Sequence, residues 1–124
     1  MNVVLWIVAG VLAAAFLGAG LMKITQPKKK LADSGMAWTN DFSDGAVKAI
    51  GALEVLGALG LILPAVFDVA TVLVPIAATG LALLMLGAAA THARRKESQM
   101  IVANVILLAL AVFVAWGRFG PYAF

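Results

Sequence analysis

The chain has 124 residues, of which 64% are hydrophobic and only 12% charged, with a mean hydropathy of +1.05 and a net charge of +3. A soluble domain is roughly half apolar and about a quarter charged, and one this short buries only part of its surface, so the composition excludes a water-soluble fold. The absence of cysteine excludes disulfides, an iron–sulfur cluster and Cys-x-x-Cys redox chemistry, and the single histidine, His92, excludes a multi-histidine metal site.

The first apolar run, Val3 to Met22, carries no charge and reaches the ~20 residues a spanning helix needs. A cleaved signal peptide competes for this segment, but it requires a basic stretch before a shorter apolar core, and only Met1 and Asn2 precede Val3.

Lys23 to Gly45 is the one sizeable polar segment. Pro27 suits a helix first turn and Gly35 the position past its end, with Lys28, Lys29, Lys30, Leu31 and Asp33 between them. Trp38 and Phe42 then read as an aromatic anchor at headgroup depth, and Asp41, Ser43 and Asp44 as a capped start to the next helix. A short interfacial segment and a plain solvated loop are both compatible with this composition.

The second run, Ala46 to Leu63, is closed by Pro64 and holds Lys48 at its start and Glu54 inside. Pro64 to Asp68 reads as a tight hairpin. The third run is Val69 to Thr91, with Pro75 either in its first turn or kinking it. The fourth is Met100 to Trp116, followed by Arg118, Pro121 and Tyr122. The expected fold is therefore an all-α membrane protein: one domain, a bundle of four transmembrane helices over 3–22, 46–63, 69–91 and 100–116, with a short interfacial segment between the first two.

Four crossings place both termini on one side. The opposite side gathers Lys23, Lys28, Lys29, Lys30, Lys48, Arg94, Arg95 and Lys96, against Arg118 and the amino terminus on the terminal side. Basic loops remain cytoplasmic. The expectation is a bacterial plasma-membrane protein with both termini outside and its two basic loops inside, where they meet anionic lipid. A nucleic-acid partner is not expected, because these loops offer too little area.

Helices associate in lipid through close packing of small residues and interhelical hydrogen bonds. Gly10, Ala14 and Gly18 line one face of the first helix; Gly51, Gly57, Ala58 and Gly60 mark the second, and Ala78, Ala82, Gly87 and Ala88 the third. These are read as packing stripes. The Gly51–Gly60 spacing is not a phosphate loop, since no strand precedes it and Lys48 is misplaced.

Glu54 lies eight residues past Ala46, about 12 Å along the helix, inside the hydrocarbon. An unpaired charge there costs at least a few kcal/mol. Its helical neighbours Gly51, Gly57 and Ala58 are small and suit a face that meets other helices. Lys23, His92 and Asn104 fall at the same end of their helices, so a polar pocket of Lys23, Glu54, His92 and Asn104 is expected, roofed by the loop with Trp38. Two roles fit it: a ligand or proton site, or an internal network that fixes helix register. His92 itself, followed by Arg94, Arg95 and Lys96, reads as a solvated interfacial residue. Arg118 is expected to snorkel to lipid phosphates, and Trp6 and Trp116 to sit in the aromatic belt.

The chain resembles the DoxX-like family of bacterial membrane proteins. The resemblance is carried by Gly18 to Lys23, by Ile50-Gly-Ala-Leu-Glu54 and its continuation to Pro64, by Pro75 to Leu81, by Ala88 to His92, and by Gly117-Arg118-Phe119. Its most specific block is Gly51-x-x-Glu54-x-x-Gly57. The resemblance implies a four-helix bundle, and it makes Lys23, Glu54, His92 and Arg118 matching motif positions. The family takes its name from a subunit of quinone-coupled thiosulfate oxidation, and some relatives look like partners of redox complexes. The resemblance thus implies an accessory subunit beside redox-complex subunits. No metal or prosthetic group is expected, beyond a bound quinone or lipid near Glu54. No nucleophile–base pair is visible, so an enzyme in its own right is not expected. The alternative, a small proton-linked transporter, requires a homo-oligomer, because four helices per chain are few.

Overall fold

A bilayer offers no water to backbone amides, so every N–H and C=O of a spanning segment must be satisfied within its own helix. The computed structural model, which describes residues 1–33 and 36–124, obeys this rule. Among the described residues, four helices are long and apolar enough to cross a membrane: α1 (Asn2–Thr25), α3 (Asp44–Phe67), α4 (Leu73–Arg94) and α5 (Ser98–Phe119). Each holds 22 to 24 residues. At 1.5 Å per residue they are about 33–36 Å long, enough for a hydrocarbon core of ~30 Å. The protein is a small integral membrane protein built as a four-helix bundle.

Helices α1, α3 and α5 outrun their apolar runs at both ends and α4 at its C-terminal end, and polar residues at helix ends extend into the headgroups without breaking the backbone ladder. Ser43 caps α3, its Oγ accepting from the Ala46 amide at 3.1 Å. Pro64 does not close this helix. It removes one backbone bond inside the last turn, and α3 runs on to Phe67. The stop comes from Asp68, left-handed at φ 53°, while the amides of Asp68 and Val69 both return to the Pro64 carbonyl. The connector is therefore Asp68–Val72 rather than Pro64–Asp68, and α4 begins at Leu73 rather than Val69. Pro75 lies in the first turn of α4, where a missing N–H costs nothing.

Between α1 and α3 the chain forms the short helix α2 (Lys28–Asp33) and a 3-10 helix over Ala37–Asp41. Gly35, the expected stop of the first of these, lies outside the described residues. Leu31 is buried, and Thr39 is buried with its hydroxyl donating to the Met36 carbonyl. The segment is thus folded onto the bundle.

Around the bundle the order is α1, α3, α4, α5, with α5 returning to α1. The core is a column of Leu12, Phe16, Ala58, Leu61, Ala78 and Val114, while Leu56, Leu83, Val102 and Ile106 point outward to lipid. The closest approach joins α1 and α3. A Cβ on Gly20 would stand 2.6 Å from the Gly51 carbonyl oxygen, and one on Gly51 2.8 Å from that of Gly20. Glycine is required at both positions. The expected stripe on α1 is not this contact: Gly10, Ala14 and Gly18 are exposed, and a Cβ on Gly10 or Gly18 meets nothing within 4 Å. Four-residue spacing defines a face, but not which way that face turns.

Candidate functional site

Glu54 lies ten residues into α3, about 15 Å from its start, and is 3% exposed. Lys23 sits in the last turn of α1 and is itself buried. The Gly20–Gly51 crossing brings the two helices together one turn before both residues. The Lys23 side chain turns inward, and Nζ donates to Glu54 Oε1 at 2.6 Å. An ammonium carries three donors, and the remaining two make no hydrogen bond among the described residues. The Trp38 ring covers the same ammonium, with Nζ 5.5 Å from its centroid.

Trp38 joins the pair to α4. It stands edge-on to His92, centroids 6.3 Å apart, and edge-on to Phe42 at 5.7 Å. His92 is 3% exposed, which corrects its reading as a solvated residue: the aromatic cap shields it despite the basic run that follows. Its Nδ1 lies 2.9 Å from Glu97 Oε1, where a proton on Nδ1 donates to the carboxylate. Lys96, left-handed at φ 58°, reverses the chain so that Glu97 returns to His92. Arg95 donates to Asp41 Oδ2 at 2.9 Å, tying the α4–α5 connection to the 3-10 helix. That hydrogen bond holds the guanidinium above its ordinary value. Lys28 Nζ donates to the Phe42 carbonyl at 2.9 Å and secures the same segment.

Asn104, in α5, is also buried. Its Nδ2 donates to the Met85 thioether at 3.3 Å, and its Oδ1 has no partner among the described residues.

Lys23, Trp38, Glu54, His92 and Asn104 all line one cavity of about 510 Å3. It opens between α1, α4 and α5 beneath the 3-10 helix, and its remaining wall is largely apolar, with Phe16, Met85 and Leu107 deep and Met36 and Phe42 at the cap. Its volume falls in the range of roughly 300–1,000 Å3 found for small-molecule sites. Glu97, Asp41 and Arg95, which fix the cap, were not singled out as site residues from the sequence. The one available signal was Glu97, a lone acid in a basic run.

Arg118 is at the other end of the bundle and does not snorkel outward. It is 6% exposed, with Nη1 donating to Asn2 Oδ1 at 2.7 Å and to the Tyr122 carbonyl at 3.0 Å, and its guanidinium 3.9 Å from the Phe124 centroid. Acceptors on Asn2 and Tyr122 draw it inward.

No curated protein and no solved structure matches the chain. The model of the DoxX-like family matches residues 7–114, a span that includes Lys23, Trp38, Glu54, His92 and Asn104 and stops short of Arg118. On that match, the chain belongs to the DoxX-like family.

Proposed function

We propose that this protein is a binding or accessory subunit that holds a hydrophobic ligand, of the quinone or lipid class, in the cavity beside Glu54. One observation carries the reading: a ~510 Å3 apolar cavity within the span is bordered by a buried ion pair, an aromatic cap and a buried amide. A ring or headgroup suits the polar end, and a chain lies against Phe16, Met85 and Leu107. The residues fit such a ligand chemically, since Lys23 keeps donors and Asn104 an acceptor on an otherwise greasy wall.

The excess of Lys and Arg around α2 and the α4–α5 connection supports a cytoplasmic location for this end of the bundle, with both termini outside in the bacterial plasma membrane. These loops are the surface proposed to dock a redox complex, in keeping with the family resemblance. Purification in native lipid particles tests both parts. An amphipathic molecule and redox subunits are expected to accompany the wild type, and Glu54→Gln is expected to lose the molecule while keeping its helix content. A Glu54→Gln protein that keeps the molecule and merely melts earlier would make the ion pair a register lock instead.

The buried Lys23–Glu54 pair also favours a second reading, a proton-linked transporter acting as a homo-oligomer, because intramembrane carboxylates mark such pathways. Solute uptake into vesicles that is lost in Glu54→Gln would decide for it.

A further inference from the structure

Asn104 makes a demand that the rest of the cavity does not. Its side chain is 8% exposed and lines the cavity, yet Oδ1 has no hydrogen-bond partner among the described residues. The orientation of the amide follows from chemistry. A thioether accepts but cannot donate, so the side facing Met85 at 3.3 Å must be the NH2 group. The oxygen is then an acceptor without a donor in a low-dielectric site, a costly state. Among the described residues no donor reaches it: the Lys23 hydrogen bond runs to Glu54, His92 Nδ1 faces Glu97, and the Phe16, Leu84 and Leu107 walls have none.

We infer that the cavity selects an amphipathic molecule whose head carries a hydroxyl group, which donates to Asn104 Oδ1. Lys23, with unspent N–H groups, donates to a head oxygen. This rests on the reading of the cavity as a ligand site and adds a rule of selection to it. A hydroxyl satisfies the amide oxygen, whereas an ether or carbonyl oxygen only accepts and leaves it orphaned. Sites that hydrogen-bond a hydroxyl reject analogues lacking it more strongly than apolar pockets reject a missing methylene. For a ring that exists as both hydroquinone and quinone, the reduced form is the one retained.

The test uses the full chain in lipid nanodiscs, with Trp6→Phe and Trp116→Phe leaving Trp38 at the cavity as the sole tryptophan. The probes are a para-alkylphenol and its methyl ether with the same alkyl chain, each corrected for partition into protein-free nanodiscs. The phenol is expected to bind on the order of tenfold to a hundredfold more tightly, the penalty of one unsatisfied buried acceptor. In Asn104→Leu the ratio is expected to fall to near one. Equal binding of both probes overturns the selection rule but leaves the ligand cavity standing. A ratio that persists in Asn104→Leu overturns the assignment to Asn104 and makes the discrimination steric. Binding of neither probe overturns the cavity reading itself.

Discussion

Each end of this bundle buries a cation, and the two solve the problem differently. At the loop end Lys23 meets a carboxylate at 2.6 Å, and the pair borders a cavity. At the terminal end Arg118 pairs with no acidic side chain among the described residues; it is held by the Asn2 amide oxygen, a backbone carbonyl and the Phe124 ring. There the surroundings are filled. Leu5 is fully buried, packed so closely on Gly117 that a Cβ would stand 2.8 Å from it, and Trp6 stands edge-on to Phe124 at 6.1 Å. A buried charge is therefore no sign of function by itself. The distinguishing feature is space beside it, bordered by polar atoms with unused bonding capacity.

The comparison breaks most visibly at the ion pair. Lys23→Met strands Glu54 in the span and is expected to destabilise the protein by about 3–5 kcal/mol, read as a fall in Tm in detergent. Lys23→Met with Glu54→Leu removes both charges and should recover most of that loss, because a matched apolar replacement restores the balance. If the double variant stays as unstable as the single one, the pair is holding the bundle rather than bordering a site. At the terminal end Arg118→Met leaves only neutral acceptors behind. About 1–3 kcal/mol is expected, with easier proteolysis of the last residues and no change in ligand retention. Altered ligand retention in this variant would erase the distinction between the two ends.

A smaller pair of substitutions sharpens the comparison within α1 and α3. Gly51→Ala places a Cβ 2.7 Å from that of Lys23 and 2.8 Å from the Gly20 carbonyl oxygen. Forcing the helices apart should cost about 1–3 kcal/mol and loosen the ion pair with them. Gly18→Ala meets nothing within 4 Å, so it should be neutral or gain up to about 1 kcal/mol from helix propensity. A loss at Gly18 would show that this face packs against a second copy. The least effect is expected for Asp41→Ala, which removes a half-exposed partner of Arg95. Stability should barely move, and the change should vanish at high salt, while release of bound ligand becomes faster as the cap loosens.

Much of this arrangement is legible in the sequence. Apolar runs gave the four spans, and small neighbours on both sides of Glu54 gave its inward direction. Counting crossings put Lys23, His92 and Asn104 at its end of the membrane. What was not legible depended on orientation and on contacts distant in sequence. His92 precedes three basic residues and reads as wet; only Trp38, 54 positions earlier, makes it dry. Arg118 reads as a snorkelling cation because Asn2, at the other end of the chain, supplies its acceptor. Gly10, Ala14 and Gly18 have ideal packing spacing, but the helix presents Gly20 instead, since spacing fixes a face and not its azimuth. Every helix end but the start of α4 ran past the hydropathy limits, where polar termini cost little at the interface.

Native mass spectrometry of three proteins extracted with their own lipids tests the central claim most directly: wild type, Glu54→Gln and Arg118→Met. The account predicts one retained amphipathic molecule per chain in the wild type and in Arg118→Met, and none in a folded Glu54→Gln. Bare chains in all three spectra, or the same retained mass in all three, would contradict it.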